Sequence, residues 1–141
     1  YRQRLSGPLM DRIDIRLRVP RLSRSELLGA PDEETSAVLR DRVEAARERQ
    51  RSRFRDLPYR SNGEMSGAEA RRWAAMTAGA ERILGQAVDR FALTGRGFDR
   101  ALKVARTVAD LEGAGRTHAR HLMEALTFRG ERLNGEETGV A

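Results

Sequence analysis

Residues 96–111 read Arg-Gly-Phe-Asp-Arg-Ala-Leu-Lys-Val-Ala-Arg-Thr-Val-Ala-Asp-Leu. Phe98, Ala101, Leu102, Ala105, Val108 and Ala109 recur at spacings of three and four, which puts them on one face of an amphipathic helix. Thr94-Gly95 interrupts the chain before this stretch, and Gly113 and Gly115 end it. A one-faced helix must bury that face against neighbours, and the flanking sequence offers them. Ile83, Leu84, Ala87, Val88 and Phe91 predict a helix over about 77–92. Leu122, Ala125 and Leu126 predict another over about 118–128. Ser66 and Glu69 have the spacing of a capping box and open a short helix through Trp73. The expected fold is mainly α, with a helical bundle over residues 66–129.

Upstream the pattern changes. Residues 36–55 contain no Gly or Pro, and Leu39, Val43, Ala46, Gln50 and Phe54 make a thin apolar stripe. Such a helix lies on the surface or against a neighbouring subunit. Residues 56–65 read as a loop. Ser23 and Glu26 allow a brief helical turn, and Ser6 with Pro8 suggests a turn over 6–12. Residues 13–19, Ile-Asp-Ile-Arg-Leu-Arg-Val, alternate strictly, the pattern of a half-buried strand stopped by Pro20. A single strand has no sheet of its own. It therefore reads as an orphan whose partners lie in other parts of a longer protein. The Gly- and Glu-rich tail, 130–141, is expected to be mobile.

Composition excludes several classes. The 141 residues contain no cysteine, so there is no disulfide framework, Cys-ligated zinc or thiol chemistry. No apolar run approaches the ~20 residues that cross a bilayer, and no signal peptide is recognisable. The expected setting is cytoplasmic, with no membrane partner. The formal charge is +6, and all basic residues but Lys103 are arginine. Arginine is the better phosphate fork, but codon usage in a GC-rich genome produces the same bias.

No self-contained active site is apparent. Lys103 is preceded by no glycine loop, so a P-loop is absent, and Gly95-Arg96-Gly97 is not a dinucleotide fingerprint because Arg100 follows. His118 and His121 have a spacing compatible with metal binding, but no carboxylate or Cys completes a set nearby. They read as surface or interface histidines, and no metal is expected. Arg47, Arg49, Arg51, Arg53 and Arg55 would share one face of a strand. On a helix of 3.6 residues per turn they spread around the axis, interleaved with Glu44, Glu48 and Asp56. A solvated helix that touches a neighbouring subunit or DNA, through Arg47, Arg51 and Arg55, fits this better than a phosphate grip.

Two stretches resemble one family. Residues 1–19, opening Tyr-Arg-Gln-Arg-Leu-Ser-Gly-Pro-Leu-Met-Asp-Arg-Ile-Asp-Ile, are similar to the Y-x-x-R-x-S-G-P-L-L-D-R-I-D segment of magnesium-chelatase-like AAA+ ATPases of the ComM/YifB type. Arg96, the run Leu102-Lys103-Val104-Ala105-Arg106-Thr107-Val108-Ala109-Asp110-Leu111, and His121-Leu122-Met123-Glu124-Ala125-Leu126 resemble the C-terminal portion in order and spacing. The resemblance implies a helical AAA+ lid bundle preceded by one strand from the end of the AAA+ core. On this reading residues 1–20 end the core, 21–65 are a connector with the Arg-rich helix, 66–129 are the lid and 130–141 the tail.

The resemblance also implies roles. Arg12 would be an arginine finger reaching the neighbouring subunit's ATP, against the alternative of pairing with Asp11 or Asp14. Arg96 would be the sensor 2 arginine of its own subunit's nucleotide site, against a bridge to Asp99 or Asp110, with Arg100 its nearest rival. Lys103 and Arg106 could face the nucleotide cleft or a neighbour. The full-length protein would use ATP and Mg²⁺ in a ring, expected to be a hexamer, acting on DNA as a helicase in branch migration and transformation. The fragment alone, without Walker motifs, would hold no cofactor and be inactive. Rival readings are the ATPase subunit of a magnesium chelatase, and a non-enzymatic module binding nucleic acid or protein.

Overall fold

A computed structural model describes residues 12–29 and 34–130. The turn expected before Arg12 and the tail from 131 lie outside the described residues. Among the described residues the helices are α1 (Arg24–Leu28), α2 (Ser36–Arg53), α3 (Gly67–Trp73), α4 (Ala78–Phe91), α5 (Gly95–Glu112) and α6 (Ala119–Thr127), with a 3₁₀ turn at Asn62–Glu64.

Local chemistry sets these boundaries. Thr35, Thr77 and Thr94 each stand in extended conformation before a helix, and their hydroxyls accept from the backbone N–H three residues on. Ser66 and Glu69 form the full reciprocal capping box at α3. Gly113 ends α5 in the left-handed region at φ 81°, where a Cβ would be strained.

Helix α5 is the central element, with α2, α3 and α6 packed on it and α4 packed on α6. Its Ala101, Leu102, Val104, Ala105 and Ala109 are buried, with Leu84, Ala87, Leu122, Ala125 and Leu126 from α4 and α6. Phe98 and Val108 pack at the margin. Alanines along α5 let its neighbours approach closely, so the core is tight rather than large. Phe54, just past α2, packs edge-on against Tyr59 and Trp73, and the Trp73 indole N–H donates to the Tyr59 hydroxyl at 3.1 Å.

Helix α2 divides the stripe read from its sequence. Ala46 and Gln50 are buried, whereas Val38, Leu39 and Val43 remain exposed. The C-terminal half is packed into the bundle and the N-terminal half projects from it.

The strand expected over 13–19 does not form. Among the described residues these pair in no ladder, and Ile15, Leu17 and Val19 are 51, 71 and 87% exposed. The physical reason is the one the alternation already carried: a lone extended segment has no partner for its row of backbone groups. Among the described residues the only strand-like contact is an isolated parallel bridge between Met76 and Thr117.

Candidate functional site

The two ends of α5 hold most of the charged residues singled out in the sequence. At the N-terminal end, backbone N–H groups and the helix dipole favour an anion. Arg96, in the first turn, is exposed. Among the described residues it makes no ion pair, and the two carboxylates expected as its partners hold other arginines. Asp99 pairs with Arg71 at 3.0 Å, and Asp110 is buried with Arg53 and Arg106. Arg100 is occupied: its Nη1 lies 2.6 Å from Asp14 Oδ1. Arg129 is buried and its guanidinium rests against Gly97, where a Cβ would come within 3.0 Å of Nη2. Gly97 thus admits a second arginine to the helix start.

Arg12 is exposed at the edge of the described chain. Asp14, one of its two possible partners, is taken by Arg100. Asp11 lies outside the described residues. The segment that follows is fastened to the bundle. The Arg16 N–H donates to the Phe128 carbonyl at 2.7 Å, and the Arg16 guanidinium donates to the Arg129 carbonyl.

The C-terminal end is built differently. Asp110 is 0% and Arg106 1% exposed. Arg53 grips the Asp110 carboxylate with both terminal nitrogens, Asn62 Nδ2 donates to it at 2.8 Å, and Arg106 Nη2 lies 3.1 Å away. Arg106 also donates to the carbonyls of Ala114 and Gly115 at 2.6 and 3.2 Å, closing the turn after α5. Burial pushes the Arg106 guanidinium below its usual range, and Asp110 opposes that. Arg49 donates to the Asp110 carbonyl at 3.3 Å and packs against Gly113.

Glu112, Arg120 and His121 form a third cluster. Glu112 is held at about 2 by hydrogen bonds from Arg120 and then His121. His121 is 1% exposed, so the surface half of the expected surface-or-interface reading does not hold for it. Its Nδ1 accepts from the His118 N–H at 3.0 Å and its Nε2 faces Glu112. The ring therefore caps α6 from inside, a role its position three residues after the cap would have signalled. Among the described residues no group of three His, Asp or Glu could hold a metal. No helix there is long and apolar enough to cross a membrane.

Residues 33–129 match the family described as magnesium chelatase, subunit ChlI C-terminal, and residues 1–27 match magnesium chelatase, subunit ChlI. The chain belongs to the magnesium chelatase ChlI family. It is 40% identical over 129 residues to an uncharacterised protein of Mycobacterium tuberculosis. It is 37% identical over 131 residues to YifB of Salmonella typhimurium and 36% over 130 to the competence protein ComM of Haemophilus influenzae. Each match covers 92% of this chain and 25% of the relative, so the chain spans about a quarter of their length.

Within this ChlI-type chain the run of five arginines has a mixed fate. Arg49 and Arg53 turn inward to the end of α5. Arg47, Arg51 and Arg55 are exposed, and among the described residues Arg51 pairs only with its helix neighbour Glu48. Lys103 donates to the Gly63 carbonyl at 3.1 Å and Arg106 is buried, so neither extends the exposed charge at the helix start. The sequence reading missed Gln50, whose side chain accepts from the Asn62 N–H at 3.0 Å, and the buried role of Asp110. A carboxylate four residues after Arg106 was the available signal.

Proposed function

We propose that this chain is the lid region, with the end of the ATPase core, of a ring-forming AAA+ ATPase that uses ATP and Mg²⁺ to remodel DNA. Arg12 is the finger that completes a neighbouring subunit's site, and Arg96 is the sensor that contacts nucleotide phosphate. The observation that carries this reading is the state of Arg96: an exposed guanidinium on the first turn of a long helix, with Asp99 and Asp110 both committed elsewhere. A guanidinium placed there suits a phosphate and makes no ion pair among the described residues. The exposed apolar side of residues 15–19 is then the side that the core sheet would cover. The ring is a hexamer on this reading, and Arg47, Arg51 and Arg55 face DNA or the next subunit.

The competence protein among the relatives favours DNA as the substrate. The family description favours a second reading, an ATPase that drives magnesium insertion into a porphyrin. ATPase stimulation of the full-length protein by DNA supports the first, and porphyrin-dependent activity without a DNA response supports the second.

The decisive test is a mixing assay on full-length protein. One partner carries Arg12→Ala and the other a disabled phosphate-binding lysine. Loss of an arginine finger costs ~10³–10⁵ in rate, so each variant alone should be nearly inactive. Recovery on mixing is expected. An Arg12→Ala protein as active as wild type would overturn the assignment.

A further inference from the structure

We infer that Asp14 and Arg100 are positioning residues that latch the segment following Arg12 onto the start of α5, so that Arg12 and Arg96 respond to nucleotide as one unit. This rests on the roles given above to those two arginines. The first observation is the Asp14–Arg100 ion pair at 2.6 Å, which joins residues 86 positions apart in the chain. The second is the attachment of Arg16, by its N–H and its guanidinium, to the Phe128 and Arg129 carbonyls at the end of α6. The two anchors meet on one platform, because Arg129 also packs on Gly97 in the first turn of α5.

Chain geometry sets how tightly this couples the two arginines. Arg12 is two residues from Asp14, so its Cα stays within ~7 Å of the latch in any conformation. Arg96 is four residues before Arg100, one helical turn along the same face. A movement of the α5 start toward a phosphate held by Arg96 must therefore carry the base of Arg12 with it. The segment 13–19 pairs in no sheet ladder among the described residues, so in this chain these side-chain and carbonyl anchors do the fastening.

Stability alone does not account for the pair. Asp14 is 49% and Arg100 23% exposed at the side chain. An ion pair whose carboxylate is half exposed contributes little to folding, and Asp14→Asn should fold normally. Its effect should instead be on geometry, where displacement of a reacting group by about 1 Å costs up to ~10²-fold.

The test uses the full-length ATPase and three variants: Asp14→Asn, Asp14→Arg, and Asp14→Arg with Arg100→Asp. The two single variants should lower kcat by about tenfold or more, with KM for ATP within about twofold. The charge-swapped double variant should recover most of the loss. Exchange of the Arg16 amide, held by the Phe128 carbonyl, should quicken in the single variants and return in the swap. If Asp14→Asn keeps full kcat while Arg12→Ala is inactive, the latch is wrong and the finger stands. If Arg12→Ala is itself fully active, the functional reading fails first and the latch with it. Loss of activity in the swap equal to that in Asp14→Arg, with normal exchange at Arg16, also overturns the latch and makes Arg100 a direct ligand of the nucleotide.

Discussion

The two ends of α5 use the same side chain for opposite purposes. At the C-terminal end, Arg49, Arg53 and Arg106 are absorbed by Asp110, by backbone carbonyls and by one another's surroundings. At the N-terminal end, Arg96 stays exposed, while Arg100 and Arg129 stand close to a helix terminus that already carries positive character. Arginines gathered at a helix C-terminus complement the dipole and stabilise the fold. Arginines gathered at an N-terminus oppose it, and an arrangement that costs stability there makes physical sense if an anion completes it.

The largest expected effect breaks the C-terminal end. Asp110→Ala would leave buried guanidinium groups without their carboxylate, which costs about 3–5 kcal/mol. Urea denaturation of the chain should show it, and a loss below about 1 kcal/mol would mean that the cluster is not a keystone. Arg96→Ala, at the other end, should leave the denaturation midpoint nearly unchanged, within about 0.5 kcal/mol. In the full-length protein the same change should lower ATP turnover by about a hundredfold, the usual loss when one positioned donor is removed. Equal effects on stability at the two ends would erase the contrast drawn between them.

Two smaller changes sharpen the picture of the C-terminal end. Gly113→Ala should cost about 1–2 kcal/mol, because Gly113 sits at φ 81° with the Arg49 guanidinium 3.0 Å from where the new methyl would stand. Thermal unfolding would measure it. Glu112 gives a pH signature. Its carboxyl lies at about 2, below the ordinary 4.5. A group whose pKa falls on folding stabilises fully above its unfolded value and loses that contribution as pH drops through the folded one. The stability gap between wild type and Glu112→Gln should therefore be present at pH 6, shrink below 4.5 and vanish near 2. A gap that did not change with pH would mean that the Arg120 and His121 contacts do not depend on the carboxylate charge.

The helices were legible because their signals are local. The three-and-four spacing of Phe98, Leu102, Ala105 and Ala109, and the Ser66–Glu69 box, need only a short window of sequence to act. The boundaries of α3, α4, α5 and α6 fall within a few residues of those expected. What stayed hidden depends on which distant groups meet. Nothing local distinguishes Arg53, folded onto Asp110 across 57 positions, from exposed Arg51 two residues earlier. His121 read as a surface or interface histidine for the same reason: its partner Glu112 lies on the preceding helix. The alternation at 13–19 was real in pattern, but a strand exists only with a partner, and periodicity does not supply one. At the candidate site, the sequence resemblance named Arg12 and Arg96. Only the fold revealed that Asp14, Asp99 and Asp110 are all engaged by other arginines.

Lys103 makes the opening of the bundle visible to a protease. It is the chain's single lysine, it lies in the middle of α5, and its amine rests on the Gly63 carbonyl. A protease that cuts only after lysine thus has one target, wound into the central helix of the bundle. Such a bond is cut only when the helix opens. The rate at which the chain falls into two pieces therefore reports how often its core stands open, obtained without adding a label or changing a residue.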